Sequence, residues 1–257
     1  MNQLSHMTWE EVAEAVTGGI KTAVLPIGAT EQHGPHLGCG MDTAIAHTLC
    51  YDVAKDTEVI LLPTLPYGCS IGHSKRWPGT MALSPKTLID VITDLGDWVV
   101  SAGIRRLLIV NGHVTNDAPL RCALEILRAK HDGFMVAIVP TAQVSPRVRE
   151  AHFADAEDWH ANDAETALMM HLHPEIVRPE KLTAADDPDR TDGCVFSHPV
   201  NRTSTNGVTG TPSAATAEKG EMLYQLMRED LTALIHKAIT EEAPLNISYE
   251  KSILNEL

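Results

Sequence analysis

Apolar positions along this chain fall into short continuous runs separated by stretches with helical spacing. Val59-Ile-Leu-Leu62, Leu107-Leu-Ile-Val110 and Phe134 to Val139 are wholly apolar, and Thr22 to Gly28 is nearly so. Such runs predict strands buried on both faces, because a half-exposed strand would alternate apolar with polar positions. Between them the pattern predicts helices. Thr8-Trp-Glu-Glu11 is a capping box opening a short helix through about Val16, stopped by Gly18-Gly19. Asp42 caps a helix whose Ile45, Leu49 and Val53 share a face, and Ser84-Pro85 starts another that runs to Gly103. Further helices are expected over Asn116 to Lys130, Asp163 to His171 and Ala215 to Ile239. Pro63 to Thr80 and about Pro179 to Ala214 are rich in Pro, Gly, Ser, Thr and Asn, and read as long irregular segments.

Strands alternating with helices imply an α/β fold with a mainly parallel sheet covered on both faces, here as a single domain over residues 1–257. In such sheets, ligands bind outside the carboxyl ends of the strands. Glu31 and His33 follow the first strand, His73 lies downstream of the second, and His113 follows the third.

Composition narrows the function. At 44% hydrophobic residues the 257-residue chain can fill a sizeable core, and its formal charge of −14 repels phosphate backbones, so nucleic acid is not an expected partner. Five cysteines with no C-x-x-C pair suggest idle thiols in a reducing cytoplasm rather than a disulfide framework. With no signal-peptide pattern at Met1-Asn-Gln-Leu-Ser-His and no bilayer-length apolar run, a soluble cytoplasmic protein without membrane contact is expected.

The chemistry gathers in Glu31-Gln-His-Gly-Pro-His-Leu-Gly-Cys-Gly-Met-Asp42. Glu31, His33 and Asp42 mix carboxylate oxygen with imidazole nitrogen, a donor set that suits zinc or manganese better than calcium. The i, i+2 spacing puts Glu31 and His33 on one side of an extended segment. His36 is a further candidate, although it can equally serve the turn. Asn111-Gly-His113 sets an imidazole at a strand end, and Trp159-His-Ala-Asn-Asp-Ala-Glu-Thr166 adds His160, Asp163 and Glu165 at a helix start. Ordinary explanations exist for each: a helix cap for Asp42, turn chemistry for Asn-Gly, first-turn charge for one of the acids. They account less well for the whole set. A rival motif, Gly68-Cys-Ser-Ile-Gly72, matches the G-x-S-x-G nucleophile elbow, but Pro63 and Pro66 interrupt the strand that must precede it, and His73 to Gly79 does not read as the helix that must follow.

Taken together and in this order, LPIGATEQHGPHL, MDT, WPGT, NGHVTN and HANDAET resemble the blocks of the creatininase (creatinine amidohydrolase) family, over roughly residues 22–170. The resemblance implies a three-layer α/β/α fold, two divalent metal ions (zinc, manganese or both), hydrolysis of a cyclic amide or related C–N bond, and a homo-oligomer, often a hexamer. Carried over residue by residue, Glu31, His33, Asp42 and His113 match metal ligands, with Asp42 bridging. Glu165 matches the remaining ligand, and His160 a catalytic-loop histidine. Two positions depart from the family pattern. Thr115 stands where creatininase has a glutamate, which puts creatinine itself in doubt, and Asp163 replaces a glutamate common among relatives.

Residues and resemblance converge on a dinuclear hydrolase of a small molecule. Two ions about 3.5–4 Å apart activate water and polarise a carbonyl. His160 is expected to move a proton from nucleophile to leaving nitrogen, with Glu165 alongside it, while His73, Trp77, Trp159 and Asp163 line the substrate pocket. The alternatives are a hydrolase opening a keto-inositol ring of the 3-dehydro-scyllo-inosose type, and a metal-binding protein without catalysis.

Overall fold

The computed structural model of the protein describes residues 1–73, 75–245, 247–248 and 250–255. Its centre is a five-stranded sheet in the order β1-β3-β2-β4-β5, built from β1 (Asn2–Gln3), β2 (Thr22–Ile27), β3 (Ile60–Leu61), β4 (Arg106–Asn111) and β5 (Met135–Pro140). All four strand pairings are parallel. β2 and β4 run in register along their whole length, Thr22 opposite Arg106 and Ile27 opposite Asn111. They therefore end side by side, and the residues after them start from one edge of the sheet.

Helices cover both faces, giving three layers. On one face Val24, Leu108 and Val110 pack against Ile45, Leu49 and Val53 of α2 (Met41–Lys55), Leu168 and Met169 of α6 (Asp163–Leu172), and Met227 and Leu231 of α8 (Ala217–Thr240). On the other, Ala23, Leu25, Leu107 and Ile109 meet Val16 of α1 (Trp9–Thr17), Leu88 and Ile92 of α3 (Pro85–Ser101), and Leu120 and Leu127 of α4 (Asp117–Lys130). Successive strand residues point to opposite faces, so the continuous apolar runs of β2, β3 and β4 are what a sheet covered on both sides requires, whereas the edge strand β5, apolar in the same way, is only partly covered, with Val139 its one buried residue.

Most expected boundaries hold to within a few residues. The Thr8 capping box forms with both of its reciprocal bonds, and Ser84 caps α3 with Pro85 at its first position. Three expectations need correction. Val59 to Leu62 contributes a ladder of only two residues, Ile60 and Leu61, against both β1 and β2, and Pro63 just beyond has no N–H to extend it. Asp42 is not a cap: Gly40 holds that place and Asp42 sits one residue inside α2, free to turn its carboxylate elsewhere. The helix α5 (Pro146–His152), capped by Ser145, was not expected from the pattern. The segment from Pro179 contains two short 3₁₀ stretches, Pro179–Ala184 and Pro212–Ala214, and the four-residue helix α7 (Val200–Thr203). The loop from Pro63 to Thr80 is irregular, with Ser74 outside the described residues. Among the described residues no helix is long and apolar enough to cross a membrane.

Candidate metal centre

Two glycines let α2 touch the strand ends. A Cβ on Gly28, just past β2, would lie 2.4 Å from the Thr43 nitrogen, and one on Gly112, just past β4, would lie 2.5 Å from the Asp42 carbonyl oxygen. The first turn of α2 consequently rests on the ends of β2 and β4, and Asp42 faces the loops that follow both.

There Asp42 meets two imidazoles from opposite sides. Its Oδ1 is 3.1 Å from His33 Nε2 and its Oδ2 is 3.2 Å from His113 Nδ1. The other nitrogen of each ring is engaged elsewhere: His33 Nδ1 lies 3.2 Å from the Glu31 carbonyl oxygen, and His113 Nε2 lies 3.1 Å from the Cys69 carbonyl oxygen. A carbonyl only accepts, so in the neutral rings those nitrogens carry the hydrogens. Lone pairs of His33 and His113 then face the lone pairs of Asp42. Glu31 closes the group, with Oε2 3.3 Å from His113 Nε2 and Oε1 3.9 Å from His33 Nε2. Glu31, His33, Asp42 and His113 are all buried, and both oxygens of Glu31, Oδ2 of Asp42 and Nε2 of His33 have no hydrogen-bond partner among the described residues. Buried lone pairs that converge in this way are costly unless a proton or cation lies between them.

Protons can fill that role. Burial pulls the His33 imidazole down, but Asp42, Glu165 and Glu31 outweigh it and push the ring up to about 10. Burial likewise opposes the charge on His113, yet Glu31 and Asp42 bring it to about 9. Asp42, also buried, is held well below the carboxylate range by the two histidines. Burial raises Glu31 and carries Glu165 up to about 8. A divalent cation would supply the same compensation, and the donor types fit one: Glu31, His33 and Asp42 each offer a ligand atom within 4.8 Å of the others, as do His33, His160 and Glu165, and as do Glu31, His73 and His160.

The second carboxylate wall comes from the start of α6. Asn162 caps that helix by accepting from Glu165 N, and the Glu165 side chain turns back so that its Oε2 accepts from Ala161 N at 2.6 Å. Ala161 adopts φ 51°, the only non-glycine residue at positive φ among those described, and fixes the bend between His160 and the helix. His160 Nδ1 is 3.8 Å and His73 Nε2 is 3.9 Å from Glu31 Oε1. Burial drives both imidazoles toward the neutral form, His73 down to about 3.

Beside His113 opens a cavity of about 450 Å³ whose lining includes Gly112, Thr115, Arg121, Thr141, Gln143 and Trp159. Trp77 and Asp163 lie outside this lining. Trp77 is half-buried beneath the Arg76 guanidinium, 5.1 Å from its ring centre, and the Asp163 carboxylate pairs with Lys219 of α8 at 3.0 Å. His36 is buried but turned to Thr166 Oγ1 at 2.8 Å, which ties the first loop to α6. Two residues that sequence reasoning overlooked hold the loops together. Asn116 accepts from Cys69 N and donates to Gly28 O and Asn111 Oδ1, joining three loops at the strand ends, and Gln32 reaches both His73 and His160. Their positions, beside Glu31 and three residues beyond His113, were the available signal.

Ser70 stands against His113. Its Oγ lies 3.2 Å from His113 Nε2, so Ser70, His113 and Asp42 line up in the order of a serine-hydrolase triad. The surroundings differ from a nucleophile elbow: residues 66–70 are irregular, Ser70 is 1% exposed, and His113 Nε2 is shared with the Cys69 carbonyl and the Thr115 hydroxyl.

Comparison with known proteins decides between these chemistries. The sequence model of the creatininase family, described as creatinine amidohydrolase, matches residues 5–235. The chain belongs to the creatininase family. It is an enzyme of that type, a metal-dependent amidohydrolase. It is 29% identical to a creatinine amidohydrolase of Pseudomonas putida over 94% of this chain and 97% of the relative. It is 30% identical to a mycofactocin precursor peptide peptidase of Mycobacterium tuberculosis over 80% of this chain and 81% of that one. Solved structures described as creatininase with Mn and as a mutant creatininase of Zn-Zn type each superpose with a TM-score of 0.80 at 27% identity, covering 93% of this chain and 99% and 98% of theirs. The three-layer architecture is thus the family's own.

Proposed function

We propose that this protein is a dinuclear metal-dependent hydrolase that cleaves an amide-type C–N bond in a small molecule. The observation that carries the reading is the buried Asp42 carboxylate, whose two oxygens face the lone pairs of His33 and His113 from opposite sides. Glu31, His113 and Asp42 would hold one ion, and His33, Asp42 and Glu165 the other. Divalent ions bound there would polarise the scissile carbonyl and lower the pKa of water toward neutrality. Zinc and manganese suit the mixed imidazole and carboxylate donors, as the metals named for the solved creatininases also suggest.

The chain's own groups then handle protons and orientation. His160 Nε2 donates to the Gln32 carbonyl at 2.9 Å, which leaves Nδ1 with a lone pair directed at the site. That nitrogen accepts the proton of the attacking water and returns it to the departing nitrogen. Glu165, held by Ala161 N, stays in place as its neighbour. Trp159 supplies an apolar wall to the cavity. Thr115, in contact with His113 and Cys69, puts a neutral hydroxyl on the cavity side of the site and supports a substrate other than creatinine. The relative named as a peptide peptidase makes a linear peptide bond a second substrate reading. The five free thiols agree with a reducing cytoplasm, and the homo-oligomer follows from the family resemblance.

The test is a metal-reconstituted screen over cyclic ureides, lactams, formamides, keto-inositols and short peptides, run with zinc, with manganese and after chelation. Hydrolysis of an amide substrate that disappears with the metal is expected. Background metal after reconstitution, or turnover that survives chelation, would sink the proposal.

A further inference from the structure

We propose that Gln32 is a positioning residue that holds two catalytic-loop imidazoles in one tautomer but turned opposite ways, so that His73 shows the site an N–H and His160 shows it a lone pair. The kinetic part rests on the hydrolase reading above; the tautomers rest on geometry alone.

Gln32 lies between two candidate ligands, and its side chain is buried. Backbone groups identify the two ends of its amide. Gly34 N–H donates to Oε1 at 2.8 Å, and Nε2 donates to the Gly207 carbonyl at 3.1 Å. The remaining amide hydrogen goes to His73 Nδ1, which lies 2.9 Å from Gln32 Nε2 and must accept it. A neutral His73 therefore carries its own hydrogen on Nε2, the nitrogen 3.9 Å from Glu31 Oε1. Gln32 has no hydrogen left for His160 Nε2 at 3.2 Å, and that nitrogen donates instead to the Gln32 backbone carbonyl at 2.9 Å. The free nitrogen of His160 is Nδ1, 3.8 Å from the same Glu31 oxygen. The two rings lie 4.5 Å apart, both directed at that oxygen.

The segment after Pro179 enforces this arrangement. Gly207 has φ 89°, and a Cβ there would fall 1.9 Å from Gln32 Oε1, so only glycine leaves room for the amide. Ser204 Oγ accepts from Gly207 N and donates to the buried Asp187, which also accepts from Thr205. Thr209 exchanges both backbone hydrogen bonds with His160. This irregular stretch thus forms a wall that presses on Gln32 and His160 together.

Hydrolysis of an amide uses both presentations. As the water oxygen bonds to the carbonyl carbon, its proton passes to His160 Nδ1; as the C–N bond breaks, that proton leaves on the departing nitrogen. His73 Nε2–H transfers nothing and donates a hydrogen bond to the oxygen on which negative charge develops.

Long-range ¹H–¹⁵N spectra of histidine-labelled full-length chain test this, with His73 and His160 assigned from His73→Gln and His160→Gln. Spectra are taken both zinc-loaded and metal-free, so that failure of the metal reading leaves the tautomers readable. Wild type should show His73 protonated at Nε2. Gln32→Glu puts an acceptor beside His73 Nδ1 and should move the hydrogen there; Gln32→Met, which removes the donor without adding an acceptor, should give a tautomer mixture and covers the case in which Gln32→Glu does not fold. Gly207→Ala, which acts on Gln32 from 175 residues away, should shift His73 in the same direction. At unchanged metal content, kcat should fall at least about 10-fold with KM moving less, below the range for a full oxyanion donor. His73 protonated at Nδ1 in wild type, or unchanged in every Gln32 and Gly207 variant, would overturn the proposal; shifted tautomers with unchanged kcat would overturn its kinetic part.

Discussion

His113 and His152 are both buried, at 4% and 1% exposure, and they behave in opposite ways. His113 stands at the end of β4 with the Asp42 and Glu31 carboxylates 3.2 and 3.3 Å from its nitrogens, and those charges outweigh burial to bring it to about 9. His152 ends α5 with no hydrogen-bond partner for either ring nitrogen among the described residues, and the Trp159 ring lies 5.4 Å from it. Burial takes it down to about 4, with only Asp155 acting weakly the other way. Burial fixes how costly a charge is, and neighbouring carboxylates decide whether the ring bears one. A buried histidine points to function when its lone pair meets others that only a cation or a proton can reconcile.

The largest effect should come from removing the carboxylate that makes the difference. Asp42→Asn keeps the volume but loses the charge shared by His33 and His113, so it should lose more metal than His33→Ala and at least about 10²-fold in rate, the scale of one strong transition-state stabiliser. Elemental analysis beside turnover checks this; two ions and near-normal turnover in Asp42→Asn would return Asp42 to an ordinary first-turn acid.

The contrast is sharpened next by separating His113 from its triad-like neighbour. His113→Ala should lose metal and activity together, whereas Ser70→Ala should stay within about 10-fold of wild type, since the net worth of one hydrogen bond is about 0.5–1.5 kcal/mol. A covalent adduct on Ser70, or a dead Ser70→Ala enzyme that keeps its metal, would revive the serine-hydrolase chemistry.

His152 gives the other side of the comparison a pH signature. Its folded pKa of about 4 lies below the ordinary 6.5, so as pH falls the unfolded chain takes up the proton first. Stability from this group is complete above pH 6.5 and drains away as pH drops toward 4, by about 3 kcal/mol in all. His152→Phe should flatten the wild-type decline in denaturant-unfolding free energy across that window. Parallel curves for the two proteins would show that the ring is not held neutral.

The smallest effect is expected from Asn116→Ala, which leaves Cys69 N–H and Gly28 C=O without their side-chain partner at a cost of about 1–3 kcal/mol. Thermal unfolding should show it, with metal content reduced less than in Asp42→Asn. Equal metal loss in the two would mean that the loop scaffold, rather than the Asp42 charge, holds the ions.

The apolar runs announced β2 and β4 because a strand covered on both faces has no polar position to hide. β3 was overestimated, since only Ile60 and Leu61 pair with β1 and β2 before Pro63, which lacks an N–H, ends the ladder. α5 was missed although Ser145-Pro146 carries the same start signal as Ser84-Pro85. In the site, the residue types and their place after strands were legible from Glu31, His33 and His113. Gln32 and Asn116 were not, because an amide has no ligand signature and shows its role only through its partners.

The sequence by itself determined the local chemistry: which segments pair as buried strands, which helices start at caps, and that carboxylates and imidazoles follow the strands. These follow from short-range spacing, which a linear pattern records. Tertiary structure decided which of those groups meet. Asp42 became a carboxylate shared by two histidines because Gly28 and Gly112 let α2 settle onto two strand ends, while His73 meets the Gln32 side-chain amide packed against Gly207 and His160 meets the Gln32 backbone carbonyl. Contacts of this kind close over long stretches of chain and depend on ångström-scale backbone clearances, which no local pattern encodes.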